Sequence, residues 1–138
     1  MSVTEQGSDN TANGDSNHNI QVSVETEFLP DQSDEEGQRW VFAYHISILN
    51  KGSVSARLLT RHWVITDGEE RVQEVHGEGV IGEQPHIAPG QTFRYTSGAI
   101  LETEVGSMRG SYQMISEDGI HFDAQVPPFT LAAPHALH

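Results

Sequence analysis

Residues 40–49 read Trp-Val-Phe-Ala-Tyr-His-Ile-Ser-Ile-Leu, with Trp40, Phe42, Tyr44, Ile46 and Ile48 at every second position. A repeat of two places these five side chains on one side of an extended strand, whereas a helix would scatter them around its axis. Val41, Ala43, His45, Ser47 and Leu49 fall on the other side. The same alternation runs through Ile20, Val22, Val24 and Phe28, set against Gln21, Ser23, Glu25 and Glu27. Each such segment is the sequence form of a half-buried strand.

Turn chemistry separates the strands. The acidic loop Asp31–Gln38 joins the first two, and Asn50-Lys51-Gly52 closes the second. A third strand spans Val54–Thr66, but its phase is divided. Leu59, Trp63 and Ile65 share one face, while Leu58 and Val64 share the other, the pattern of a strand covered on both sides. Asp67-Gly68 is a hairpin signal leading into Arg71–Val75. Further strands fall at Thr92–Thr96, Met108–Ser116 and Ile120–Val126, with Ile120, Phe122, Ala124 and Val126 on one face, and a short piece at Phe129–Leu131 follows two prolines. Seven or eight short strands without an amphipathic helix predict an all-β fold, and favour an antiparallel β-sandwich of the fibronectin type III or immunoglobulin-like kind over a barrel, which the same pattern also allows. The domain is expected over residues 20–131, with 1–19 a disordered polar tail and 132–138 a loose end.

The chain has no cysteine, which removes disulfides, thiolate metal sites and a thiol nucleophile, and suits a cytoplasmic location. It shows neither a secretion signal nor an apolar run of membrane-spanning length, so no membrane partner is expected. The formal charge is −13, from 20 acids and 7 bases. Nine of the acids lie in residues 1–36, which carry no Lys or Arg, so the remainder is only mildly acidic. A surface of this sign repels phosphate backbones and argues against nucleic acid as a partner.

Gly77, Gly79 and Gly82 spell G-x-G-x-x-G, the spacing of a dinucleotide-binding turn. That motif needs a helix directly after it, and here Pro85 and Pro89 follow, each removing a backbone donor. The Rossmann reading fails on this context. The chain also lacks G-x-S-x-G, H-E-x-x-H and a P-loop, and no catalytic residue or cofactor is expected.

The blocks Arg61-His62-Trp63-Val64-Ile65-Thr66-Asp67 and Gly77-Glu78-Gly79-Val80-Ile81-Gly82-Glu83-Gln84-Pro85 are distinctive. With Tyr44–Asn50, Pro89-Gly90, Phe93–Gly98, Met108–Tyr112 and Val126–Phe129, they resemble the ApaG family from about Ile20 to Leu131. The resemblance implies a fibronectin type III-like sandwich. It implies small stand-alone bacterial proteins, named for a link to cobalt resistance and magnesium efflux. It also implies a domain that larger eukaryotic proteins, among them an F-box protein and a DNA-polymerase-delta-interacting protein, use for protein interaction. The family's G-x-G-x-x-G has been discussed as a pyrophosphate or nucleotide site, which here concerns Gly77, Gly79 and Gly82 alone.

Beside a purely structural role, in which the glycines make β-bulges or close backbone approaches in a sandwich loop, two functional readings of the segment follow. In the first, loop 76–90 and the Phe93–Ser97 strand bind an unidentified protein, with Glu83, Gln84, Pro85 and Tyr95 on the contact surface. In the second, backbone N–H groups at Gly77, Gly79 and Gly82 form an anion nest for pyrophosphate or a nucleotide, assisted by Arg61, His76 and His86. Glu78 and Glu83 oppose the second by charge. His76, His86, Glu78 and Glu83 are metal-ligating types, but their spacing matches no closed motif and no metal site is expected. Arg61 and His62 must point to opposite faces of a regular strand, so one of them faces the core. Exposed edge strands would also allow two copies to pair as a homodimer.

Overall fold

Among the described residues, eight strands run β1 (Ile20–Phe28), β2 (Trp40–Asn50), β3 (Ala56–Asp67), β4 (Val72–Glu78), β5 (His86–Ile87), β6 (Thr92–Leu101), β7 (Val105–Ser116) and β8 (His121–Ala132). The computed structural model describes residues 16–137. All strand pairings are antiparallel, in two sheets ordered β1-β2-β6 and β4-β3-β7-β8. β5 pairs β3 at Ala56 and Arg57, on the side where β4 pairs it further along. The fold is the antiparallel sandwich that the alternation requires.

The inward rows form one core. Ile20, Phe42, Ile46 and Ile48 come from one sheet, Leu58, Trp63, Ile87, Met108, Tyr112, Met114 and Leu131 from the other, and all are fully buried. Trp63 lies at the centre, edge-on to Tyr44 (ring centroids 5.6 Å apart), Phe129 (5.9 Å) and Tyr112 (6.1 Å). These are the preferred aromatic geometries, and they fix the indole as well as bury it.

A β-bulge resolves the divided phase of β3. The register with β7 shifts between Leu58 and Thr60, leaving Leu59 as the extra residue. Leu58 therefore points inward opposite Met114, and three residues later Arg61 also points inward, opposite Tyr112. Trp63 follows on the same face opposite Gly110. A second register shift in β8, between Val126 and Phe129, spans the two prolines, so Ile120–Val126 and Phe129–Leu131 are parts of one strand.

Several local expectations differ from the structure. Ile120 sits in the turn before β8 and is 47% exposed, so it does not join the face of Ala124 and Val126. The hairpin after Asp67 has three loop residues, and Glu70 rather than Gly68 takes the positive φ. Backbone hydrogen bonds continue on both sides of residues 20–131. The Asn17 and Asn19 carbonyls accept from Ser53, Val54 and Lys51 N–H groups. At the other end Ala133 is fully buried, its N–H donates to Glu104, and a 3₁₀ turn covers Pro134–Leu137. Residues 1–15, the bulk of the expected tail, lie outside the described residues.

Buried Asn50 fastens the loops at one end. Its amide nitrogen donates to the Val54 and Ile87 carbonyls, and its side-chain oxygen accepts from the Gly52 N–H. Among the described residues no helix is long and apolar enough to cross a membrane.

Candidate functional site

The G-x-G-x-x-G segment interrupts the edge of the sheet between β4 and β5. Gly77 lies within β4, opposite Arg61, so only the later glycines shape the bend. Val80 and Glu83 exchange both backbone hydrogen bonds, at 2.8 and 2.9 Å. Between them Ile81 and Gly82 have φ of 42° and 80°, the twist of a primed two-residue turn. Gly79 is also at positive φ, and a Cβ there would fall 2.1 Å from the Glu83 carbonyl oxygen. The turn is tied to the bulge on β3: the Gly79 N–H and the Gln84 amide both donate to the Leu59 carbonyl, at 2.8 and 2.9 Å.

Arg61 braces this turn from below. Its Nη1 donates to the carbonyls of Glu78 (3.1 Å) and Gly79 (2.8 Å). The guanidinium reaches them by crossing Gly77, where a Cβ would lie 2.6 Å from it. An inward-facing cation is thus satisfied at the sheet edge by two carbonyls and no carboxylate, and the absent side chain of Gly77 makes room for it. Nearby, the buried hydroxyls of Tyr95 and Tyr112 bond each other at 2.5 Å. Burial pushes the Tyr95 and Tyr112 phenols up, so both stay neutral.

Part of the expected anion nest is already engaged within the fold. The N–H groups of Gly79, Val80 and Glu83 all point at backbone carbonyls, and Arg61 is engaged with carbonyls as well. Two of the expected surface residues are also corrected. Tyr95 is a core residue because β6 turns it inward onto Tyr112, and Pro85 is buried where its carbonyl accepts from Leu58 N–H. Glu83 and Gln84 are exposed, and so is Ile81 at the tip.

His76 and His86 are not brought together. They pair with His62 and Arg57, five positions apart along β3, or roughly 17 Å. His86 faces Glu117 at 3.3 Å. His76 instead stacks on His62, with ring centroids 4.2 Å apart and planes 10° from parallel. His62 Nε2 lies 2.8 Å from Oε1 of Glu74, and His76 Nε2 lies 3.9 Å from the same oxygen. The His62 hydrogen bond and charge hold the Glu74 carboxyl below its ordinary value. His62 and Glu74 were not expected at any site. The signal was present in the Asp67–Arg71 hairpin, whose register places residue 62 against residue 76, and in the Glu74-x-His76 spacing, which gives one face of a strand.

A polar trough crosses the outer face of the other sheet, where Ser23, Ser47 and Arg94 form one row and Glu25, His45 and Thr96 the next. His45 bonds Thr96 (2.8 Å) and Glu27 (3.2 Å) there.

The profile of the ApaG domain matches residues 30–116, which includes the braced turn, both histidines and the Trp63 core. The chain belongs to the ApaG family. Protein ApaG of Pseudomonas paraeruginosa is 59% identical over 124 residues, covering 90% of this chain and 98% of that protein. Protein ApaG of Aromatoleum aromaticum is 60% identical over 121 residues, 88% of this chain and 95% of the relative. Among solved structures, one from Bordetella pertussis named for an ApaA protein superposes with a TM-score of 0.84 at 52% identity, covering 86% of this chain and 96% of that one. None of these ApaG and ApaA names states an activity.

Proposed function

We propose that this ApaG chain is a non-enzymatic recognition module of the cytoplasm, which binds another protein through the turn Gly79–Gln84 and acts in cobalt and magnesium homeostasis. The observation that carries the reading is Ile81. A β-branched residue at positive φ is strained by about 1–3 kcal/mol, and Gly or Asn would adopt the same backbone at lower cost. Ile81 nevertheless leaves 56% of its surface in water, so neither its conformation nor its burial stabilises the fold. A contact residue on a rigid tip accounts for both costs. The Arg61 brace and the Leu59 stitches hold the tip in one conformation, which limits the entropy lost on binding. Glu78 and Glu83 flank it and favour a partner with a basic rim around an apolar pocket.

The test is capture of partners from a lysate of cells that naturally make the protein, using wild type and Ile81→Asn in parallel. A partner retained by wild type and lost by the variant, with cobalt tolerance reduced in cells carrying it, supports the reading. Equal recovery and unchanged tolerance would remove it.

A further inference from the structure

The hairpin β3–β4 carries a second feature, on its outer face, that partner recognition by the turn leaves unused. We infer that His62, Glu74 and His76 form a binding site for one divalent transition-metal ion of the zinc or nickel type.

The placement follows from the ladder. Gly79 N–H donates to Leu59, and Asp67 N–H donates to Arg71, so the hydrogen-bonded pairs of this hairpin are the odd-numbered ones. His62 and His76 therefore face each other at a non-hydrogen-bonded pair, where opposite side chains approach most closely. Glu74 is two residues before His76 on the same strand and on the same face. One donor atom from each of the three residues lies within 4.8 Å of the other two.

An ion bound at about 2.0–2.1 Å from each donor holds neighbouring donors roughly 3.0–3.4 Å apart. The 2.8 Å and 3.9 Å separations to Glu74 Oε1 already bracket that value, and the stacked rings must tilt out of parallel, chiefly by rotation of exposed His76, for both in-plane lone pairs to meet one ion. His62 stands on a strand paired on both sides, which makes it the fixed member. Two imidazoles and a carboxylate select borderline ions such as Zn²⁺ and Ni²⁺ over Mg²⁺, which prefers an all-oxygen octahedron. Glu74 Oε1 is the atom that both imidazoles approach. Arg109, opposite Val64 on the neighbouring strand, also acts on Glu74, and is the cation an entering ion would have to displace electrostatically. Three protein donors on an edge hairpin leave further coordination positions open to water or to a group from another molecule.

Titration of the full chain with ZnCl₂, NiCl₂ and MgCl₂, followed by calorimetry and by the histidine ring resonances, tests the inference. Saturable uptake of one Zn²⁺ or Ni²⁺, shifting the His62 and His76 rings, is expected, with no response to Mg²⁺. His76→Gln and Glu74→Gln should each weaken uptake more than about tenfold, since even residues that only orient ligands cost 10–100-fold. His86→Gln should leave it unchanged. All three positions are exposed and unfolding curves of the metal-free variants verify that the fold is kept. Absence of saturable uptake overturns the inference. So does uptake retained by His76→Gln, or uptake lost equally in His86→Gln, which would place the ion on other histidines.

Discussion

The guanidinium of Arg61 occupies the space in which a side chain at Gly77 would begin, 2.6 Å from the ideal Cβ position. Each residue is therefore the condition for the other. Gly77→Ala should expel Arg61 from its two carbonyls and destabilise the domain by about 2 kcal/mol, the scale of charge-assisted hydrogen bonds lost in a partly buried place. In an Arg61→Ala background the same substitution should cost little. Urea unfolding of the two single variants and the double variant measures the coupling. Additive losses would show that the crossing guanidinium is not what reserves Gly77.

The turn tip makes an opposite kind of prediction. Ile81→Asn should raise stability by about 1 kcal/mol, because asparagine adopts positive φ at lower cost and removes an apolar surface from water. A shift of the urea midpoint upward without a change in slope is the expected result. A destabilised variant would mean that Ile81 packs usefully in the isolated protein.

At Gly110 the constraint is packing. A Cβ there would stand 2.2 Å from the His62 carbonyl and 2.7 Å from the Trp63 ring. Gly110→Ala should cost about 3 kcal/mol and disturb the near-ultraviolet circular dichroism of the aromatic cluster, since neither backbone nor buried indole can give way cheaply. Gly119→Ala, which meets nothing within 4 Å, separates this steric effect from backbone strain, because its φ of 84° supplies only the latter.

Stability should fall in acid through the Asp67–Arg71 hairpin. Burial pushes the Asp67 carboxyl up, but hydrogen bonds from Arg71 and the Glu69 N–H outweigh it and hold it below the usual aspartate value. A depressed carboxylate contributes stability that is complete above its unfolded value and is lost as pH falls through the folded one. Unfolding free energy should therefore decline below about pH 4, and Asp67→Asn should flatten that decline. An unchanged acid limb in the variant would assign the effect to other carboxylates.

Pyrophosphate at millimolar concentration should leave the amide resonances of residues 77–83 unshifted. The N–H groups of Gly79, Val80 and Glu83 are committed to carbonyls, and two carboxylates flank the turn. A saturable shift abolished by Gly79→Val would restore the anion reading.

The alternation of Trp40 to Ile48, the turn residues at Asn50 and Asp67, and the prolines after Gly82 sufficed to read an all-β antiparallel fold and to exclude a helix-capped nucleotide site, because period and turn chemistry are local properties. The facing of Arg61 and Trp63 was not legible, since a bulge at Leu59 reverses the phase of β3 and bulges follow from what a strand pairs with. The meeting of His62, Glu74 and His76, and the withdrawal of Tyr95 into the core, were decided by register between strands that the sequence separates. Local pattern determines which residues extend and where the chain turns. Only the folded sheets decide which side chains meet, because each cross-strand neighbour is chosen by the whole ladder.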